Sequence, residues 1–207
     1  MRLHATGGRI AFYDSNRAME AELTGFEFAA GIPGTLGGAC VMNAGAYGGE
    51  MKDVLETVNV LTRDGDVKTL TKDELELGYR TSVIAKKDYI VLSAVIRLEN
   101  GKKEEIKAVM DDLKEKRITK QPLEYPSAGS TFKRPEGYFA GKLIQDAGLR
   151  GFQVGGAQVS EKHCGFVVNK DQATAADVMN LMNQVSDKVY EMSGVRLEPE
   201  VKRLGVF

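Results

Sequence analysis

Apolar and polar residues alternate along VLETVNVLT (54–62), the pattern of a strand with one buried face, and Asp64-Gly65 just beyond it marks a hairpin turn. A further strand is expected in YIVLSAVIRLE (89–99), where apolar residues run almost unbroken. The period then changes. In KKEEIKAVMDDLKEKRITK (102–120), Ile106, Val109, Met110 and Leu113 fall at helical spacing within a charged sequence, which predicts an amphipathic helix. Pro122 and Pro126 stop it and make 120–127 the candidate linker between domains.

Beyond that segment, GYFAGKLIQDAGL (137–149) predicts a helix with Leu143, Ile144 and Ala147 on its apolar stripe and Gly148 as terminator. HCGFVVN (163–169) predicts a short buried strand. The clearest helix is expected after a cap at Asp171 or Thr174, over 175–194, with Val178, Leu181, Met182, Val185 and Val189 on one face. RLEPEVKRLG (196–205) is expected to close the chain as a strand. The whole is an α+β pattern with a β-rich domain (23–118), a smaller α+β domain (119–207) and an unassigned segment (1–22).

Composition removes several function classes. Lys and Arg number 28 against 29 Asp and Glu, so there is no basic field of the kind nucleic acid selects. No apolar run approaches the roughly 20 residues that span a bilayer, and the start lacks a signal pattern, so no membrane partner and a cytoplasmic location are expected. The cysteines Cys40 and Cys164 and the histidines His4 and His163 have no metal-ligand spacing, so no metal is expected. Chemistry must then come from other side chains or from an organic cofactor.

Four stretches are candidates. GIPGTLGGACVMNAGAYGGE (31–50) is rich in glycine and poor in charge, so its backbone can approach a planar or phosphorylated ligand; tight turns against a sheet would account for it equally. It follows neither standard nucleotide-binding pattern. GYRTSVIAK (78–86) holds an arginine able to offer paired donors to a carboxylate or phosphate, or one that merely sits on a surface loop. YPSAGSTFKRP (125–135) sets Ser130 after Gly129 with no histidine base nearby. A proton-donating hydroxyl near Lys133 and Arg134 fits it better than an activated nucleophile. LEPEV (197–201) aims Glu198 and Glu200 to one face if it is a strand, as would an exposed edge.

Taken in order, the phrases GFEFAAGIPGTLGGACVMNAGAYGGEM, YRTS, QPLEYPSAGSTFKRP, AGKLIQDAGLRG, GGAQVSEKHCGFVVN and LEPEVKRLG resemble one family, the UDP-N-acetylenolpyruvoylglucosamine reductases (UDP-N-acetylmuramate dehydrogenases), in their shorter-branch form. The resemblance runs from about residue 23 to the end. It implies an FAD-binding domain of the two-part PCMH-type followed by a small α+β substrate-binding domain, and an NADPH-dependent FAD oxidoreductase of peptidoglycan precursor synthesis. FAD would take a hydride from NADPH and pass it to the enolpyruvyl C3 of UDP-N-acetylglucosamine enolpyruvate, after which C2 is protonated. Carried over by position, Ser130 is the implied proton donor, with Arg80 and Glu200 stabilising the enolate-like intermediate. Gly31, Ile32, Pro33, Gly34, Gly37, Gly38, Asn43, Ala44 and Gly45 are the implied cofactor contacts, and Tyr79, Lys120, Lys133 and Arg134 the implied substrate contacts. Ile84 stands where the family has an aromatic, a packing change. A monomer is expected.

The family's first flavin subdomain, with its glycine-serine-asparagine phosphate loop, has no counterpart in these residues. The expected fold is thus the remainder of the FAD domain plus the substrate domain, with weak FAD binding by the 207 residues alone. A second reading is a flavin-free UDP-sugar-binding fragment without activity, which lack of flavin absorbance would distinguish.

Overall fold

Strand alternation at 54–62 has its reason in burial: Val58 and Val60 are wholly enclosed while Thr57, Asn59 and Leu61 are partly exposed. In the computed structural model, which describes residues 1–205, the chain forms two units, Met1–Lys116 and Arg117–Phe207. The first holds β1 (Arg2–Thr6), α1 (Ala11–Glu20), β2 (Leu23–Thr24), α2 (Leu36–Val41), β3 (Gly45–Ala46), β4 (Gly49–Glu50), α3 (Met51–Val54), β5 (Leu55–Leu61), β6 (Val67–Thr71), α4 (Val83–Lys86), β7 (Ile90–Arg97) and β8 (Glu99–Asn100). α5 (Lys103–Lys120) follows. The second holds β9 (Ser127–Ser130), α6 (Ala140–Asp146), β10 (Gln153–Val154), β11 (Ala157–Val159), β12 (Phe166–Asn169) and α7 (Ala175–Ser193). The division falls inside the last turn of α5, ahead of the proline-bracketed segment 120–127.

The first unit is built on an antiparallel sheet in the order β1-β7-β5-β6. Its β5–β6 hairpin turns at Gly65 (φ +91°), where Thr62 N donates to Asp66 O at 2.9 Å. The apolar run of β7 divides by face. Ala94 and Ile96 are in the core, whereas Ile90 and Leu92 are exposed. The unassigned residues 1–22 are integral to this unit, because β1 pairs with β7 from Arg2↔Arg97 to Thr6↔Ser93. On α5, Ile106, Met110 and Leu113 are buried, but Val109 is 47% exposed and leaves the expected stripe.

The second unit has the antiparallel order β10-β11-β12-β9, packed by α6 and α7. α7 starts as its sequence dictates. Thr174 Oγ1 accepts from Asp177 N at 3.1 Å and Asp177 Oδ2 accepts from Thr174 N at 2.9 Å, a reciprocal cap. Leu181, Met182, Val185 and Val189 are buried, each contributing about 1.5–3 kcal/mol of apolar transfer. The expected strand at 196–205 is a correction: only Pro199 bridges, to Phe132, because proline has no N–H to continue a ladder.

Among the described residues no helix is long and apolar enough to cross a membrane, and no group of three or more His, Cys, Asp or Glu could hold a metal ion.

Candidate functional site

The glycine-rich segment is held by the residues the sequence left unassigned. Gly37 N donates to Gly7 O (2.8 Å), Leu36 N to Arg9 O (2.7 Å) and Ala11 N to Gly34 O (3.2 Å). A Cβ on Gly37 would stand 2.9 Å from Gly7 O, so this approach of two backbones requires glycine there. α2 then packs on β7; Leu36 and Cys40 on α2 are both fully buried, and burial pushes the pKa of the Cys40 thiol up to about 12. The anchored half, Leu36 and Gly37, leaves Gly31, Pro33, Gly34 and Thr35 exposed, with Ile32 half-buried. Gly34 stands at φ +138° with open space where a Cβ would be. An exposed, uncharged backbone on a fixed helix start fits one edge of a flavin.

Asn43, Ala44 and Gly45 lie further along the same segment. Asn43 is buried at φ +46°, and its amide is engaged by the protein: Nδ2 donates to Glu50 Oε2 (2.9 Å) and Gly78 O (3.1 Å), while Oδ1 accepts from Lys52 N (2.8 Å). Ala44 is buried, and a Cβ on Gly45 would meet Gly49 O at 2.7 Å.

The bond to Gly78 brings the arginine stretch to the glycine segment. Gly78 and Thr81 exchange backbone hydrogen bonds (3.1 and 3.3 Å), which makes Tyr79 and Arg80 the tip of a tight turn. Arg80 sits at φ +56°, a conformation disfavoured for a residue with a Cβ, and its guanidinium lies 5.2 Å from the exposed Tyr79 ring. Behind the turn, buried Ser82 donates to Val41 O at 2.5 Å and caps α4 by accepting from Ala85 N at 3.2 Å. Ile84 is fully enclosed in the core.

In the second unit, Ser130 ends β9 opposite Phe166 of β12, yet Ser127 lies opposite Val168. One extra residue on β9 makes a bulge, and Gly129 (φ +83°) supplies the left-handed geometry that re-aims the exposed Ser130. Glu200 is half-buried, and its N–H donates to the carbonyl of Thr131, the residue after Ser130, at 2.9 Å. Lys133 and Glu198 are joined twice, by Lys133 N to Glu198 O (2.8 Å) and by an ion pair from Nζ to Oε1. The charge of Lys133 is thereby partly balanced. Arg134 lies over the Phe139 ring at 3.9 Å and donates from Nε to Tyr138 O at 3.2 Å. Lys120 is exposed at the end of α5.

Sequence reasoning passed over His163. Its Nδ1 accepts from Gly165 N at 3.0 Å, and its ring meets Phe166 edge-on at 5.1 Å. Burial lowers its pKa from the ordinary value, helped by the charges of Arg150 and Lys120. Its neighbour Cys164 hid the signal, because the pair prompted only a question about metals.

Comparison with known proteins adds to this geometry. The family described as UDP-N-acetylenolpyruvoylglucosamine reductase, C-terminal domain, matches residues 121–204, and the FAD binding domain family matches residues 11–71. The second match begins within the unassigned segment 1–22. UDP-N-acetylenolpyruvoylglucosamine reductases from Agathobacter rectalis (64% identical, 98% of this chain, 65% of that protein) and Clostridioides difficile (55%, 99% and 67%) are similar along nearly the whole sequence. The chain spans about two thirds of the length of these relatives. A crystal structure of UDP-N-acetylenolpyruvylglucosamine reductase from Thermus caldophilus superimposes with a TM-score of 0.84 at 39% identity, covering 96% of this chain and 72% of that one.

Proposed function

The chain belongs to the UDP-N-acetylenolpyruvoylglucosamine reductase family, and from that premise we propose that it acts in reducing UDP-N-acetylglucosamine enolpyruvate to UDP-N-acetylmuramate for peptidoglycan synthesis. Held by Gly31, Ile32, Pro33, Gly34, Gly37, Gly38, Asn43, Ala44 and Gly45, FAD would supply the hydride carrier between NADPH and the substrate's C3. The protein's own residues handle the charge and the proton. Ser130 donates a proton from its hydroxyl to C2. Arg80, with its paired N–H donors, and Glu200 are assigned to stabilising the enolate-like intermediate. Tyr79, Lys120, Lys133 and Arg134 are assigned to the nucleotide sugar. A monomer acting in the cytoplasm completes the proposal.

The observation that carries it is the bulge at Gly129. It costs β9 a regular pairing and leaves Ser130 exposed one residue before Thr131, whose carbonyl accepts from Glu200 N, an arrangement that serves no packing purpose for an exposed serine. Visible absorbance tests the reading. With saturating FAD, NADPH should bleach the flavin band and UDP-N-acetylglucosamine enolpyruvate should restore it. Protein that stays colourless but binds the nucleotide sugar would instead be a flavin-free binding module.

A further inference from the structure

Ser130 and Glu200 are neighbours of one residue that no chemical role has been given. Thr131 is 2% exposed and makes a hydrogen bond through each of its polar groups. Its N–H donates to Gly165 O at 2.9 Å, and its carbonyl accepts from Glu200 N at 2.9 Å. Its Oγ1 accepts from Val167 N at 2.8 Å, a buried contact. The last bond follows from the bulge. Between the Phe166↔Ser130 and Val168↔Ser127 pairs the ladder is interrupted, and a side-chain oxygen satisfies the Val167 N–H.

We propose that Thr131 is a positioning residue for proton delivery: its buried hydroxyl locks the bulge that aims Ser130, while its carbonyl holds Glu200 at the same place. The inference rests on the function proposed above. Thr131→Val keeps the β-branched shape and both main-chain bonds but strands the Val167 N–H in a buried position. The bulge then relaxes, and Ser130 moves with it. Misplacement of a reacting group by about 1 Å costs on the order of 10²-fold in rate. The expected defect lies in turnover rather than binding, because Thr131 is buried.

The experiment compares parent, Thr131→Val and Thr131→Ser at saturating FAD. Thr131→Val should bleach with NADPH at the parental rate, whereas restoration of the band by enolpyruvyl substrate slows about 10²-fold with substrate affinity little changed. Thr131→Ser restores the acceptor and should recover most of that rate. Amide exchange in flavin-free protein gives the independent reading: Val167 should exchange faster in Thr131→Val and at the parental rate in Thr131→Ser, while Glu200, whose main-chain bond is kept, stays parental in both. Parental restoration by Thr131→Val, or a Thr131→Ser protein as slow as Thr131→Val, overturns the inference. If Thr131→Val does not fold, a slow Thr131→Ser still overturns it and a fast one supports it. A parent whose flavin band never returns with substrate overturns the functional reading itself, and this inference with it.

Discussion

His163 shows how one side chain couples fold to solution conditions. In the folded chain its Nδ1 accepts a hydrogen bond, so the neutral ring is the form the structure holds, and burial lowers its pKa below the ordinary 6.5. Unfolded chains take up this proton first as pH falls, so the unfolded state binds more protons in that interval. The stability His163 contributes is therefore complete above about pH 6.5 and is lost as pH falls through the lower folded value. Asp177 and Glu56 accept hydrogen bonds from Thr174 and Arg2 that lower their pKa values, so what they contribute is lost only as pH falls below the ordinary carboxylate range. Urea titrations at pH 7.5 and 5.5 should show the second unit losing stability at the lower pH. In His163→Asn that loss should shrink. An unchanged pH dependence in the variant would place the titration elsewhere.

Among the elements, the segment linking α2 to the arginine turn depends on Asn43. Its amide ties Gly78, Glu50 and Lys52 together, and Asn43→Ala leaves these partners unmatched. Three hydrogen bonds to part-buried groups are lost, each with a net contribution of about 0.5–1.5 kcal/mol. Native-state amide exchange in β5 and β7 reads the first unit alone and should report a loss near 2 kcal/mol. No change would mean that the loop holds without its amide. Elements of this size were legible in the sequence where their causes are local. The capped α7 and the Asp64-Gly65 hairpin need only neighbouring residues. Three things were not legible. β1 depends on β7, a distant partner, so nothing within residues 1–22 announces a strand. The segment at 196–205 has strand-like alternation, but Pro199 limits it to one bridge. The bonds of Asn43, which the resemblance nominates as a cofactor contact, also escape the sequence, because only the folded chain shows its amide engaged within the protein.

For the molecule as a whole, the candidate residues fall into two sets, each organised by its own unit. The first unit presents the exposed backbone of 31–35 and the Tyr79–Arg80 turn, joined through Asn43 and Ser82. The second presents Ser130 and Glu200 joined through Thr131. Resemblance in the sequence was enough to nominate these residues, since the phrases that carry them are short and contiguous. It could not disclose the bulge or the hydrogen bonds behind them, which depend on strands far apart in the chain. The central claim is that Ser130 delivers the proton in enolpyruvyl reduction, and Ser130→Ala tests it most directly. Rapid-mixing absorbance at saturating FAD should show NADPH bleaching the flavin band equally in parent and variant. Return of the band with UDP-N-acetylglucosamine enolpyruvate should slow by about 10²–10⁴-fold in the variant, the usual effect of losing a general acid, whereas equal rates of return would contradict the account.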